Sequence, residues 1–380
     1  MSIYADNAAT TRLSPHVFSV YTEALGNIFG NASSTHSSGF AASCALENAR
    51  ADIAHALGCE AENIIFTSGG SESNNIALLS AAAIGEKENR RHIVSSSIEH
   101  HSVLEVLKYL ERRGFEMTLV DPRENGIVSS DDIASKLRPD TALVTLMHAN
   151  NEIGTLQPIA QTAALCRKQG VPFHCDAVQS VGHVRLDLST LEVDTLSLSA
   201  HKFHGPKGVG VLFARDVSLI TPVIRGGEQE RGLRAGTENI PAICAMAAAL
   251  TESLSGLREK QEKVLAMRER LIDEILTLDG AYLNGDRTER LAGNANFSFD
   301  GVGGEQLVYL LDSFGIELSS GSACAARSSE ASHVVLATGA SFERARSTLR
   351  ISLDEYNTAL EVDEIARAVK RGVETIRNIG

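Results

Sequence analysis

Two apolar runs are each followed or ended by a residue whose side chain could take part in a reaction, one a carboxylate and the other an amine. Asp176 ends the run 172–176, and Lys202 follows the run 195–199 and enters a Gly/Pro loop. A pyridoxal cofactor needs a carboxylate against its pyridine nitrogen and a lysine that forms a Schiff base with its aldehyde. Taken alone, an Asp at a strand end is usually a cap or turn residue, and a loop lysine is usually solvated.

A third segment has the composition of a phosphate site. The run 66–74, Phe-Thr-Ser-Gly-Gly-Ser-Glu-Ser-Asn, joins a predicted strand to a helix predicted over 75–83. Glycines let backbone N–H groups approach an anion, and a helix N-terminus adds partial positive charge. A tight turn capped by serine explains this run equally well on its own. This segment, Asp176 and Lys202 follow one another along the chain, each at the end of a predicted strand. That order favours a single pyridoxal-phosphate site formed by all three.

Cys324 differs in its surroundings from the other five cysteines. The six, at 44, 59, 166, 175, 244 and 324, include no CxxC pair, which predicts reduced thiols rather than disulfides or a zinc site. Cys324 lies in a Ser/Gly/Ala stretch, which predicts a loop over about 319–332 and a partly exposed, nucleophilic thiol. We predict no metal site, because the metal-like spacing of His201 and His204 has no further ligands beside it.

The elements that must position these residues alternate along the first two thirds of the chain. Strand-like runs separated by helical patterns predict an α/β fold with a mainly parallel seven-stranded sheet covered on both faces. Ligands of such sheets bind at the carboxyl ends of the strands, where Asp176 and Lys202 lie. The seven runs are 63–67, 92–96, 116–120, 142–148, 172–176, 195–199 and 208–213.

The last third of the sequence has a different pattern. A long helical pattern over 240–278 precedes short strands mixed with helices, which is typical of a smaller α+β domain. We therefore predict a large domain over 15–255 and a small domain over 1–14 and 256–380. The small domain would carry the Cys324 loop.

Composition excludes several classes of protein. The 380 residues include 35 Lys and Arg against 48 Asp and Glu, a net charge of −13 without a basic stripe, so we expect no direct nucleic-acid binding. The longest apolar run, 242–250, is too short to span a bilayer, so no membrane association is expected. The N-terminus has no basic region followed by an apolar core, so we expect a cytoplasmic location.

Several segments together resemble one enzyme family, the cysteine desulfurases that supply sulfur for iron–sulfur clusters and tRNA. The resemblance covers essentially the whole chain in order. It implies the pyridoxal-phosphate transferase fold of the aspartate aminotransferase type, and conversion of L-cysteine to L-alanine with a persulfide left on Cys324. The segments are 6–11, 30–34, 66–74, 99–100, 150–154, 173–179, 197–208, 234–238 and 319–324.

The resemblance also implies roles for individual residues. Lys202 would form the Schiff base and shuttle the Cα proton, and His100 would stack on the cofactor ring with an acid–base role. Asp176 would pair with the pyridine nitrogen and Gln179 with the phenolic oxygen. The remaining cofactor contacts would come from Asn151, Gly70, Ser71, Ser199 and His201, and from Thr237 of the second subunit of a homodimer.

Arg350 is the predicted ligand of the substrate carboxylate. Alternation along 347–353 places Arg350 on the opposite side from Leu349 and Ile351. An arginine on a strand is often merely solvated or salt-bridged, but its guanidinium suits a carboxylate bidentately. By resemblance, Arg350 holds the substrate carboxylate with Asn151 and Asn31.

The sequence departs from the family pattern in places and leaves alternatives open. Cys324 is followed by Ala-Ala-Arg327, the three-glycine run appears as Gly226-Gly-Glu228, and the chain ends at Gly380 without the longer family tail. The sulfur acceptor is therefore open between iron–sulfur assembly, tRNA thiolation and DNA phosphorothioation. Rival functions are a selenocysteine lyase, an aminotransferase, and a non-catalytic sulfur-relay subunit, although Lys202, Asp176 and Arg350 argue against the last.

Overall fold

A computed structural model describes residues 2–321 and 331–379. Cys324, the predicted nucleophile, lies outside the described residues. In the described ranges, the strands β1 to β12 span Ile3–Tyr4, Ile64–Thr67, His92–Ser96, Glu116–Val120, Thr141–Met147, Phe173–Asp176, Thr195–Ser199, Gly210–Ala214, Ala281–Leu283, Asn294–Phe299, Ile316–Glu317 and Leu349–Ser352. The helices α1 to α12 span Pro15–Asn27, Ser37–Leu57, Gly70–Lys87, His101–Glu111, Ser130–Lys136, Ile159–Gln169, Ile240–Leu254, Leu257–Ile275, Gly304–Ser313, His333–Ala337, Phe342–Arg346 and Ala359–Ile379.

Seven strands form the main sheet in the order β2-β8-β7-β6-β5-β3-β4. Its pairs are parallel except for those that β8 makes with β2 and β7, which are antiparallel. Most strands are buried on both faces, as their apolar composition predicts, and only the edge strand β4 is largely exposed. The predicted α/β fold with a mainly parallel seven-stranded sheet is confirmed.

Hydrophobic clusters cover both faces of this sheet. Ile64 and Phe66 pack into one cluster with α2 and α7, whereas Ile65 between them packs into another with α3 and α4. This division follows from the two-residue period of a strand, which sends neighbouring side chains to opposite faces. Packing on both faces fixes the positions of the strands, and so it also fixes the residues that directly follow them, such as Lys202 after β7.

A second structural unit is built from the two ends of the chain. The antiparallel sheet β12-β10-β9 packs with α8, α9 and α12 around a separate hydrophobic cluster that includes Ala5. Strand β1 pairs in parallel with β11, Ile3 opposite Ile316. Val334 and Val335 of α10 pack instead into the core beside the main sheet. The domain limits at 15 and 255 remain a prediction.

The long helical pattern over 240–278 is two helices rather than one. Gly256, with φ 63°, separates α7 from α8, and the two helices are bent by 72°. No single helix in residues 2–321 and 331–379 is long and apolar enough to cross a membrane. The α7 and α8 pair meets that criterion of length and composition only when both helices are taken together.

Candidate active site

A cavity of about 250 Å³ lies at the carboxyl ends of β5, β6 and β7, beside the start of α3. It brings together most of the predicted site residues. Asn31 and Thr237 do not line it in this chain, and both are exposed. The predicted residues at the cavity are Gly70, Ser71, His100, Asn151, Asp176, Gln179, Ser199, His201, Lys202 and Arg350.

The Lys202 amine is held by the N-terminal segment of the chain. Lys202 ends a short 3₁₀ turn, Ala200–Lys202, that follows β7. Its Nζ donates to the carbonyl oxygens of Ala8 and Ala9, both at 2.7 Å. Gln179 Nε2 also donates to the Ala8 carbonyl, at 2.9 Å. The amine and the amide are therefore oriented by the same backbone.

Asp176 is a buried carboxylate at the end of β6. Its Oδ2 accepts from Asn74 Nδ2 at 2.7 Å, and its Oδ1 accepts from the backbone N–H of Val178 at 3.0 Å. Behind Asn74, its Oδ1 accepts from His174 Nε2 at 3.0 Å, and His174 Nδ1 lies 2.8 Å from Thr195 Oγ1. Burial lowers the pKa of His174 to about 3, so the ring is neutral. Its proton is assigned to Nε2, because Asn74 Oδ1 can only accept. This chain of bonds fixes the Asn74 amide with its donor toward Asp176.

His100 caps helix α4 and faces the cavity. Its Nδ1 accepts from the backbone N–H of Ser102 at 3.1 Å, so the neutral ring carries its proton on Nε2. Burial lowers the pKa of His100, the positive charge of Lys202 lowers it further, and Asp176 opposes both. His100 is therefore neutral near pH 7 and able to exchange a proton at Nε2.

The phosphate side of the cavity is the start of α3. The helix begins at Gly70, five residues before the predicted start, and Ser71 lies in its first turn. Gly69 has φ 150°, which glycine tolerates best, and a Cβ on Gly70 would collide with Val178. Ser199 and His201 complete this side, and burial lowers the pKa of His201 to about 4. Free backbone N–H groups and hydroxyls at a helix N-terminus suit a phosphate.

Arg350 reaches the cavity from β12 and is 1% exposed. Its Nη1 donates to the Asn151 carbonyl at 2.9 Å, and its Nη2 donates to Asp6 Oδ1 at 2.8 Å. Its Nε is buried without a hydrogen-bond partner among the described residues. A buried donor of this kind is costly unless a ligand satisfies it, which fits a carboxylate anion.

The residues at this cavity fit pyridoxal 5'-phosphate by their chemistry. Asp176 offers a buried carboxylate for a protonated ring nitrogen, Lys202 an amine for an aldehyde, and the start of α3 the donors for a phosphate. Sequence reasoning missed Asn74, His174 and Ser102, which orient these groups. Asn74 stood in the run 66–74 without a role, and His174 was signalled only as a polar residue inside an apolar strand.

Comparisons with known proteins agree with this chemistry. Residues 3–365 match the family model for class-V aminotransferases. The cysteine desulfurase IscS of Methanosarcina thermophila is 42% identical over 378 residues, which cover 100% of this chain and 93% of that relative. A solved NifS-like protein has a TM-score of 0.91 at 36% identity and covers 99% of both chains. A structure described as SspA in complex with cysteine has a TM-score of 0.82 at 35% identity, covering 94% of this chain and all of that one.

The family resemblance inferred from the sequence is thus confirmed by full-length similarity in both sequence and fold. The chain belongs to the class-V aminotransferase family and, within it, to the cysteine desulfurases, which are enzymes that depend on pyridoxal 5'-phosphate.

Proposed function

We propose that this enzyme takes the sulfur of L-cysteine, releases L-alanine and holds the sulfur as a persulfide on Cys324. The observation that carries the proposal is the shared cavity of Lys202, Asp176 and Arg350, which places an amine, a carboxylate and a carboxylate-binding guanidinium together. The similarity to SspA, whose structure is described as a complex with cysteine, supports L-cysteine as the substrate.

The residues of the cavity divide the work of the reaction. Arg350 binds the substrate carboxylate through its buried guanidinium, with Asn151 beside it. Pyridoxal 5'-phosphate, when bound, withdraws electrons from the substrate Cα. Lys202 Nζ removes the Cα proton, and Asp176 keeps a proton on the ring nitrogen. Neutral His100 can exchange a proton at Nε2 with the substrate.

Cys324 completes the reaction as the sulfur acceptor. Its thiolate attacks the substrate sulfur, a new S–S bond forms, and the Cβ–S bond breaks with its electron pair kept by carbon. Protonation of Cβ and return of a proton to Cα give L-alanine. Because L-cysteine plus a thiol becomes L-alanine plus a persulfide, atoms and electrons balance without an outside oxidant or reductant.

We also propose a homodimer in which the partner subunit's Thr237 reaches the phosphate side of this cavity. In one chain Thr237 and Asn31 are exposed and do not line the cavity. Phe29 and Phe40 are 80% and 70% exposed on either side of a close contact between Gly30 and the backbone of Ser38. Apolar surface of this kind supports burial against a second copy.

The immediate acceptor of the sulfur would be a protein in the cytoplasm. The net charge of −13 disfavours direct delivery to nucleic acid, so iron–sulfur assembly, tRNA thiolation and DNA phosphorothioation would each need a carrier protein. Cys44, Cys59, Cys166, Cys175 and Cys244 are free thiols, which suits a reducing compartment.

The proposal is tested with matched pairs of substitutions. Cys324→Ala should abolish sulfide and alanine formation from L-cysteine, whereas Cys44→Ala, at an exposed free thiol, should leave both unchanged. Lys202→Ala should remove the borohydride-sensitive visible band of the purified protein, whereas Lys207→Ala should retain it. Desulfuration that persists in Cys324→Ala would contradict the persulfide route.

A further inference from the structure

A chain of hydrogen bonds joins the carboxylate of Asp176 to the ring of His100. Asn74 Nδ2 donates to Asp176 Oδ2 at 2.7 Å and lies 2.9 Å from Ser102 Oγ. Ser102 Oγ in turn lies 2.8 Å from His100 Nδ1. Asp176, Ser102 and His100 all line the cavity. Two groups with separate roles in the reaction are thus linked through one amide and one hydroxyl.

The atom types along this chain fix the direction of each bond. A carboxylate accepts hydrogen bonds, so the atom of Asn74 that faces Asp176 is the amide nitrogen. The same NH₂ group has a second hydrogen, which it donates to Ser102 Oγ, because an amide nitrogen does not accept. The Ser102 hydroxyl therefore accepts from Asn74 and keeps its own hydrogen for His100 Nδ1.

Ser102 donates to the same ring nitrogen a second time, through its backbone N–H at 3.1 Å. One residue therefore directs two donors at His100 Nδ1. A protonated Nδ1 would itself be a donor, so this arrangement disfavours a proton at that position. His100 is also the N-cap of α4, where the partial positive charge of the helix end disfavours an imidazolium. The proton of the neutral ring is thus confined to Nε2.

The charged groups that face His100 act on the ring as a whole. Burial is the largest cause of its lowered pKa. The carboxylates of Asp176 and Glu152 oppose this effect, whereas Lys202 and His101 lower the pKa further. These influences change how readily the ring takes up a second proton. The hydrogen bonds at Nδ1 decide which nitrogen carries the first one.

We propose that Ser102 is a positioning residue that restricts His100 to donating a hydrogen bond from Nε2 toward a substrate in the cavity. The inference rests on the proposed function, and it narrows the acid–base role of His100 to one direction. A neutral imidazole with its N–H held in place can stabilise negative charge that develops on a substrate without becoming charged itself. Through Asn74 and Ser102, the carboxylate of Asp176 thereby also determines which nitrogen of His100 carries the proton.

The first test compares Ser102→Ala with Ser102→Thr, which retains a hydroxyl. ¹⁵N NMR of the histidine-labelled holoenzyme reports the protonation of each ring nitrogen, and the signals of His100 are those missing from His100→Gln. In the unaltered enzyme we expect a proton on Nε2 and none on Nδ1. Ser102→Ala removes a donor to the neutral ring, so the titration midpoint of His100 should move up by roughly half to one pH unit. Ser102→Thr should restore the original midpoint.

A second readout connects this proton to the reaction. The neutral ring is lost as pH falls through the pKa of His100, so a higher pKa moves that loss to higher pH. The acid limb of kcat/KM for L-cysteine should therefore move up in Ser102→Ala by the amount measured by NMR. Below the limb, kcat/KM should fall roughly three- to tenfold relative to the unaltered enzyme. Ser341→Ala, which removes an exposed capping hydroxyl from α11, is the control and should change neither readout.

Three results would overturn the inference. The first is a proton on His100 Nδ1 in the unaltered enzyme, and the second is an unchanged titration of His100 in Ser102→Ala. The third is a raised midpoint with an acid limb that stays in place or an alkaline limb that moves, because the imidazolium would then be the active form. Desulfuration that persists in Cys324→Ala would instead refute the proposed function and leave the NMR result untouched.

Discussion

Asp176 Oδ2 and Asn74 Nδ2 are joined by a 2.7 Å hydrogen bond, and the His174 ring fixes the orientation of that amide from behind. The carboxylate of Asp176 thus accepts two hydrogen bonds, one from Asn74 and one from the Val178 N–H. These two bonds orient the side chain of Asp176 at the cavity, where a carboxylate can pair with a protonated ring nitrogen. Asn74 is therefore a positioning residue for the cofactor.

Asn74→Asp should weaken cofactor binding. The substitution replaces a donor by a second carboxylate against Asp176, and like charges in a buried site favour protonation of one of them. We expect the dissociation constant for pyridoxal 5'-phosphate to rise roughly tenfold or more. Titration of the visible band on the apo-protein measures it, with Asn89→Asp at an exposed turn as the control. Equal affinity in the two variants would remove Asn74 from the cofactor site.

Arg350→Lys should affect substrate binding more than turnover. A lysine cannot reproduce the planar fork that contacts Asn151 and Asp6 while leaving Nε for the substrate carboxylate. We expect KM for L-cysteine to rise roughly 10- to 100-fold with a smaller change in kcat. Steady-state kinetics check this, with the exposed Arg346→Lys as the matched variant. An unchanged KM would exclude Arg350 as the carboxylate ligand.

Glu99→Gln should change the pH dependence of stability. Burial raises the pKa of Glu99 to about 8, and Asp176 adds to the shift, while Ser96 and Met147 donate to its Oε1 and oppose it. The folded state thus keeps a proton that the unfolded state loses at acidic pH. The stabilisation is complete below the unfolded pKa and is lost as pH rises toward 8, by up to about 1.4 kcal/mol per pH unit.

Glutamine is neutral at every pH and should abolish this decline. We expect Glu99→Gln to gain stability relative to the unaltered enzyme between pH about 5 and about 8, which urea unfolding at both ends of that range measures. Glu23→Gln, on the exposed side of α1, is the control and should run parallel to the unaltered enzyme. Parallel curves for Glu99→Gln as well would mean that Glu99 is ionised in the folded state.

A buried ion pair should dominate the stability of the contact between α2 and β2. Arg50 donates to Glu230 at 2.7 and 2.9 Å and to the Ile64 carbonyl at 2.9 Å, and Glu230 also accepts from the Phe66 N–H. Arg50→Met should lower the free energy of unfolding by about 3–5 kcal/mol, because it leaves a buried carboxylate unpaired. Glu47→Gln, on the exposed partner of the same arginine, should cost less than about 1 kcal/mol. Denaturant unfolding distinguishes the two, and equal small losses would contradict the assignment.

The sequence predicted the sheet well because each strand is specified locally. The bounds of β3, β4 and β7 match the predicted runs, since apolar strands between turn residues leave few alternatives. Helix α3 starts earlier than predicted because its N-cap is Gly69, which has no side chain to bond the first turn and is a less typical capping residue than Ser, Thr, Asn or Asp. The break at Gly256 was missed because helical periodicity continues on both sides of it.

Site residues that lie in a motif of the family could be predicted from the sequence. Residues whose role depends on contacts between distant parts of the chain could not. Asn74 meets His174 and Asp176 only through the folding of α3 against β6. Ser332 Oγ donates to Glu152 Oε2, and no local pattern indicates this bond, because the two residues lie 180 positions apart. Thr237 was predicted for the site from a second subunit and Asn31 as a ligand of the substrate carboxylate, and neither lines the cavity of this chain.

The pairing of the two chain ends has a consequence for biosynthesis. Ile3 is paired with Ile316 in the parallel ladder of β1 and β11, and Asn7 Nδ2 donates to the Ser352 carbonyl. The carbonyls of Ala8 and Ala9 accept from the Lys202 amine. Residues 3–9 therefore reach their folded positions only after residues 316 and 352 have been synthesised. We expect a nascent chain whose main sheet is already built to remain unable to retain its coenzyme until residues 316–352 have left the ribosome, because contacts between distant residues form late.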